Sequence, residues 1–158
     1  MQINHINIVV ADMERSLRFY VDLLQMRITF ETDLHGDWID TVTRLAGVSA
    51  RCVFVQPIGG GARLELLEYR LPPGAALPEN CLANTQGLRH IALEVKDLNA
   101  WYQKLSENGI TTLSPPVLVP FRIVEGIQKR LLYCRDPDGV IVELCEHLYD
   151  WKDGKNTR

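Results

Sequence analysis

Apolar residues recur at every second position in several short segments of the chain, which is the spacing of half-buried β-strands. Two of these segments are followed by an aspartate and then by apolar residues spaced as on one face of a helix. The segments with strand spacing are residues 3–10, 50–57, 62–69, 90–95, 131–135 and 140–146. The pattern predicts an α+β protein in which Asp12 and Asp97 cap helices that directly follow strands.

The second half of the sequence repeats features of the first. Residues 5–17 read HINIVVADMERSL and residues 90–102 read HIALEVKDLNAWY, so that each begins His-Ile and carries Val five and Asp seven positions after the His. Near the end of each half, LELLEY at residues 64–69 is echoed by VELCEH at residues 142–147. An internal repeat of this kind indicates two copies of one supersecondary unit.

The repeat divides the chain into two modules with a connection between them. We expect a first βαβββ module at residues 1–70 and a second at residues 88–148. Residues 71–87 contain three prolines and have no clear periodicity, which is typical of a linker, and residues 149–158 form a polar tail.

Composition excludes several classes of protein. The 158 residues are 46% hydrophobic and carry a net charge of −3, so the chain has enough apolar residues for a core and no general attraction to nucleic acid or to anionic membranes. The sequence lacks an apolar run of about 18 residues and has no signal-peptide pattern at its start, so we expect a cytoplasmic protein. A small-molecule substrate is the expected partner.

Four cysteines are present, and none of them has the spacing of a CxxC pair or a zinc finger. Cys52, Cys134 and Cys145 lie in apolar strand-like segments, which favours buried thiols. A catalytic thiol is the alternative.

Four polar residues occupy equivalent positions in the two halves: His5, Glu65, His90 and Glu143. On each strand the apolar neighbours point to the helices, so these side chains point to the opposite face, where they converge if that face lines a cleft. A lone His or Glu at such a position is usually only solvated, but the double repetition favours metal ligands. Two imidazoles and two carboxylates suit one divalent ion such as Zn, Ni, Co, Mn or Fe.

The competing carboxylate in the first half is Glu68. It lies three positions after Glu65 and therefore on the other face of its strand. The alignment of Leu-Glu-Leu with Val-Glu-Leu in the second half favours Glu65 as the ligand.

The motifs HINIVVADMERSLRFYVDLLQM, ARLELLEY, GLRHIALEVKDL and CRDPDGVIVELCEH together resemble the vicinal oxygen chelate superfamily. This superfamily includes glyoxalase I, methylmalonyl-CoA epimerase, extradiol dioxygenases and bleomycin-resistance proteins. The resemblance implies two tandem βαβββ modules that form a U-shaped, eight-stranded mixed sheet around a metal cleft, commonly in a homodimer. It also implies that His5, Glu65, His90 and Glu143 are the metal ligands.

The resemblance implies a reaction in which the ion stabilises an enolate-like species while a carboxylate transfers a proton. Glu143 is the first candidate for that carboxylate, with Glu65 facing it. We therefore expect a metal-dependent lyase or isomerase, glyoxalase-like or methylmalonyl-CoA-epimerase-like. The family often has Gln at the position of Glu65.

Two other functions stay open. One is an extradiol-type Fe(II) or Mn(II) dioxygenase, whose sites resemble a set of two His and one Glu. The other is a non-enzymatic drug-binding resistance protein, which generally lacks the metal ligands.

Three further segments have polar or aromatic residues that can line a cleft. Residues 31–50 are predicted to contain a short helix with Trp38, and they form either a lid or a surface excursion with Trp38 in the core. Arg122 and Lys129 lie in a second possible lid, where they meet an anionic substrate or are merely solvated. His147 shares strand parity with Glu143, so it lies near the site or at a strand end.

Overall fold

The computed structural model describes residues 1–78, 81–122 and 124–149. The chain divides into two compact units, Met1–Glu79 and Asn80–Arg158. Among the described residues, each unit forms a four-stranded mixed sheet with helices, so the predicted α+β class with tandem modules is confirmed. From residue 150 onward, the predicted polar tail lies outside the described residues.

The first unit follows the βαβββ order, with one extra short helix before its third strand. Its elements are β1 (His5–Val9), α1 (Met13–Leu17), a π-helical segment (Arg18–Leu23), β2 (Arg27–His35), α2 (Asp37–Thr43), β3 (Ser49–Gln56) and β4 (Arg63–Leu71). The strands are ordered β1-β4-β3-β2, and β1 and β4 are parallel while the other pairs are antiparallel. The first strand and the last strand of the module are therefore direct neighbours.

The second unit has the same order of elements without the extra helix. It contains β5 (His90–Glu94), α3 (Leu98–Glu107), β6 (Val117–Leu118), β7 (Ile127–Arg135) and β8 (Ile141–Tyr149). The strand order β5-β8-β7-β6 repeats that of the first unit, again with a parallel first pair. This equivalence is the structural counterpart of the repeat in the sequence.

Both predicted helix caps are present. The Asp12 carboxylate accepts a hydrogen bond from the Arg15 backbone N–H at 2.9 Å, and the Asp97 carboxylate accepts one from the Ala100 N–H at 3.0 Å. Each satisfies a donor at a helix start that has no partner within the helix. The chain thus turns from strand to helix at the same point in both modules.

The core of each unit lies between the helices and the apolar face of the sheet. Alternate strand residues point into it, as the strand spacing predicts. The fully buried residues include, in the first unit, Met13, Tyr20, Val53, Val55 and Leu66, and, in the second, Leu98, Leu105, Leu132, Val142 and Leu144. The opposite face of each sheet carries the polar residues of interest. None of the described helices is long and apolar enough to cross a membrane.

Residues 31–50 differ from expectation in two respects, namely the strand at their start and the position of Trp38. Strand β2 already occupies Arg27–His35, and α2 follows it as predicted. Trp38 keeps 58% of its surface exposed, while Ile39 next to it is buried against Val48 and Ala50. Of the two alternatives, the one that anchors Trp38 in the core is therefore wrong, because the turn into α2 directs the next residue inward instead.

Candidate metal centre

In the first unit, His5 on β1 and Glu65 on β4 lie on neighbouring parallel strands. Asn7 is the register partner of Glu65, so His5 approaches the carboxylate diagonally. The distance from His5 Nε2 to Glu65 Oε2 is 3.4 Å. The other ring nitrogen, Nδ1, is hydrogen-bonded to Asn4 Oδ1 at 2.9 Å, which turns Nε2 toward Glu65.

Neutral groups hold the Glu65 carboxylate. The Asn7 side-chain amide donates to Oε2 at 3.1 Å, and the Cys52 thiol donates to Oε1 at 3.6 Å. Burial, together with the charge of Glu65, raises the pKa of Cys52 to about 12, so this thiol stays protonated and acts as a donor. The predicted burial of Cys52, Cys134 and Cys145 is confirmed.

In the second unit, His90 on β5 and Glu143 on β8 form the equivalent pair. The distance from His90 Nε2 to Glu143 Oε2 is again 3.4 Å. The two imidazoles are almost equally exposed, with 38% of the His5 side chain and 39% of the His90 side chain accessible, so an ion from solvent can reach both. The repeat is thus reproduced in the geometry of the side chains as well as in the sequence.

A cation holds the Glu143 carboxylate in place of the neutral donors. Lys129 Nζ donates to Oε1 at 2.5 Å, and Tyr133 is the register partner of Glu143 on the neighbouring strand. The bond to Glu143 raises the pKa of Lys129, which keeps the ammonium charged. Burial, and then the charge of Glu143, raises the pKa of Tyr133, which keeps the phenol protonated.

The chemistry and spacing of each pair fit two neighbouring ligands of one ion. In a tetrahedral zinc site with bonds of about 2.1 Å, adjacent donor atoms lie about 3.4 Å apart. Both His–Glu pairs have this separation. Within residues 1–78, 81–122 and 124–149, no group of three or more His, Cys, Asp or Glu side chains is arranged to hold a metal ion, so the structure itself presents two pairs.

Glu68 has a structural role that differs from the role proposed for Glu65. Its carboxylate accepts a hydrogen bond from the backbone N–H of Met13 at 3.2 Å, at the start of α1. In the second unit, Glu146 accepts one from the N–H of Asp97 at 2.9 Å. Both carboxylates therefore lie on the helix side of their strands, as strand parity predicts.

The sequence left two alternatives for the positions of both Lys129 and His147. Lys129 belongs to strand β7 rather than to a lid, and its register partner on β8 is His147. His147 Nδ1 lies 2.9 Å from Glu94 Oε1, so this imidazole has its own carboxylate partner. The contact between Lys129 and Glu143 was missed, because the alternating apolar pattern is weak where β7 begins with Ile-Gln-Lys-Arg.

One protein family matches most of the chain. Residues 2–144 match the model of a protein family described as Glyoxalase/Bleomycin resistance protein/Dioxygenase superfamily. The chain belongs to this superfamily. The superfamily is the one that the sequence motifs resemble, so the resemblance is confirmed.

Individual members of the superfamily match along most of the chain. The uncharacterized protein YaeR of Escherichia coli is 27% identical over 146 residues, which are 92% of this chain and 95% of that protein. The mitochondrial methylmalonyl-CoA epimerase of Homo sapiens is 26% identical over 143 residues, which are 90% of this chain and 72% of the epimerase. A crystal structure of a glyoxalase family protein from Bacillus cereus superposes with a TM-score of 0.80, at 21% identity, over 94% of this chain and 95% of that one. This last likeness supports the fold.

Proposed function

We propose that this chain is a metal-dependent lyase or isomerase, glyoxalase-like or methylmalonyl-CoA-epimerase-like, that transfers a proton next to a carbonyl group. His5, Glu65, His90 and Glu143 are the proposed ligands of one divalent ion: Zn, Ni, Co, Mn or Fe. The observation that carries the proposal is the His–Glu pair at 3.4 Å, present in each half at the same register. The likeness to the human epimerase supports the reaction class.

The proposal that both pairs share one ion rests on the superfamily and on the repeat. When bound, the ion supplies positive charge that stabilises an enolate-like species as the proton leaves the neighbouring carbon. Side chains of the protein perform all other parts of the proposed reaction.

The side chains divide this work between positioning and proton transfer. Asn4 orients the imidazole of His5, and Asn7 with Cys52 orients the carboxylate of Glu65. Glu65 and Glu143 are the proposed catalytic residues, because a carboxylate within reach of the substrate can accept a proton and return it. Two such groups are what an epimerase requires, one for each face of the carbon.

Metal analysis of the purified protein tests the first half of the proposal. Wild type is compared with Glu65→Gln, Glu143→Gln and the control Glu68→Gln, whose carboxylate holds the start of a helix instead. We expect about one divalent ion per chain in wild type and in the control, and weaker binding in the two ligand variants. A wild type that binds no divalent ion at micromolar concentration would contradict the proposal and favour a drug-binding protein.

The reaction class is tested with the metal-loaded protein. Proton exchange from D₂O into an acyl-CoA or a hemithioacetal is the expected result. Oxygen uptake with a catechol, and no exchange, would indicate a dioxygenase. We further propose a homodimer, which sedimentation analysis of the same sample tests.

A further inference from the structure

The two halves differ in the charge of the groups that contact the ligand carboxylates. In the first half, Asn7 and Cys52 hold Glu65, and both are neutral. In the second half, the ammonium of Lys129 holds Glu143. The difference needs an explanation, because the His–Glu pairs themselves are equivalent.

Strand register shows that the repeat does not supply this lysine. Lys129 lies opposite His147, four residues after Glu143. The residue opposite Tyr69, four residues after Glu65, is Ala50. The first half has a cation nearby in Arg63, but its guanidinium donates to Asn4 and stacks on Phe54. A residue that merely held a ligand carboxylate in place would be useful in both halves, so a cation that contacts the carboxylate in one half alone points to an asymmetric ligand.

The geometry leaves Lys129 suited to a second partner. Glu143 presents Oε1 to Lys129 and Oε2 to His90, so the ammonium and the imidazole lie on different oxygens of the carboxylate. A lysine ammonium has three N–H donors, and the bond to Glu143 takes one of them. The Lys129 side chain keeps 17% of its surface exposed, whereas that of Glu143 keeps 5%.

Charge indicates what that second partner is. Lys129 already balances the single negative charge of Glu143 before any ion binds. When both proposed carboxylate ligands bind the divalent ion, the ion, Glu65, Glu143 and the Lys129 ammonium together keep one uncompensated positive charge. An anionic ligand lowers the electrostatic energy of such a group, and a neutral ligand does not.

We propose that Lys129 binds the anionic group of the substrate, so that the substrate carries a carboxylate or similar oxyanion beside the oxygen that the ion holds. This inference rests on the proposed function. Lys129 is then a specificity residue that selects anionic carbonyl compounds over neutral ones.

The test uses the Co²⁺-loaded protein and two probes of different charge. Oxalate is a dianion with two adjacent oxygens, and imidazole is a neutral ligand that takes an open metal position. Binding of each probe is followed by the visible absorption of Co²⁺ in wild type, Lys129→Gln and Lys129→Arg. The matched control is Arg130→Gln, which also removes one positive charge, but from a side chain that pairs with Glu146 and contacts Asn99 on the helix side.

We expect Lys129→Gln to weaken oxalate binding about tenfold to a hundredfold, the loss that accompanies one charged hydrogen bond, and to leave imidazole binding within about twofold. Lys129→Arg keeps the charge and is expected to restore most of the oxalate affinity. Arg130→Gln is expected to change neither probe.

Three results would overturn the inference. Equal losses for oxalate and imidazole would show that Lys129 only positions Glu143. Unchanged oxalate binding in Lys129→Gln would show that the ammonium does not contact the anion. If wild type binds no Co²⁺, the proposed function fails and this inference fails with it, whereas the first two results leave the metal centre intact.

Discussion

Replacing each of the two proposed ligand glutamates with glutamine, in protein stripped of metal, tests whether the two halves differ in stability. Glu65→Gln and Glu143→Gln are the same chemical change at equivalent positions of the repeat. Their surroundings differ, because neutral donors hold Glu65 while Lys129 holds Glu143. We expect Glu143→Gln to cost clearly more of the free energy of unfolding.

The size of the difference follows from the contacts. A hydrogen bond between charged groups contributes about 1.5–3 kcal/mol, and Lys129 loses the charge of its partner in Glu143→Gln. Since the Lys129 side chain keeps 17% exposure and some hydration, we expect a loss of about 2 kcal/mol. In Glu65→Gln, the amide oxygen can take the place of Oε2 and still accept from Asn7, and only the weak Cys52 donor then faces the amide nitrogen. A loss of about 0.5 kcal/mol is therefore expected.

Urea unfolding followed by circular dichroism at pH 7, with EDTA present, measures both losses. Lys129→Met and the double variant Glu143→Gln/Lys129→Met complete a double-mutant cycle with Glu143→Gln and wild type, and we expect a coupling energy of at least about 1 kcal/mol. Equal losses for the two glutamine variants, or a coupling near zero, would refute the reasoning from the Lys129 contact.

Three further predictions concern the rest of the chain. Cys81, which is partly exposed, should react first with a thiol reagent at pH 8, while buried Cys52 and Cys134 should react only after unfolding; rapid labelling of either would contradict their burial. Burial raises the pKa of both buried thiols from about 9 to about 12, so the unfolded chain loses these protons at lower pH. The stabilisation that the two protonated thiols contribute should therefore be fully present below about pH 9. Between about pH 9 and about pH 12 the free energy of unfolding should fall by about 1.4 kcal/mol per pH unit for each thiol. Urea unfolding repeated across this range measures the fall, which should be smaller in Cys52→Ala. Leu66 is fully buried, so Leu66→Ala should lower the free energy of unfolding by about 2–5 kcal/mol in the same assay. Leu45 is 40% exposed, so Leu45→Ala should lower it by under about 1 kcal/mol.

The sequence was most informative where burial alternates along a strand. Val53 and Leu66 are fully buried on strands that the alternating spacing predicted. The carboxylates of Asp12 and Asp97 cap the predicted helices. The repeat also identified the His–Glu pairs, because equivalent positions in the two halves can be recognised from the sequence alone.

The elements that were missed lack this one-sided burial. Strand β2 is an edge strand whose residues are mostly exposed, so no alternation marks it, and β6 is only two residues long. Trp38 is exposed although it is the largest apolar side chain of its segment, since the turn at Gly36 directs Ile39 inward instead. The contact of Lys129 with Glu143 depends on which residues face each other across β7 and β8, which strand spacing alone does not give.

Strand β4 uses both of its faces: Glu65 belongs to the proposed metal centre, and Glu68 holds the start of α1. A slip of one residue against its neighbours would turn every side chain of β4 to the other face. Glu65 would then enter the core, and Glu68 would leave the backbone of Met13 without its acceptor. A misregistered chain would thus lose the proposed ligand and the acceptor at the helix start together, so the slip that displaces Glu65 also destabilises the fold.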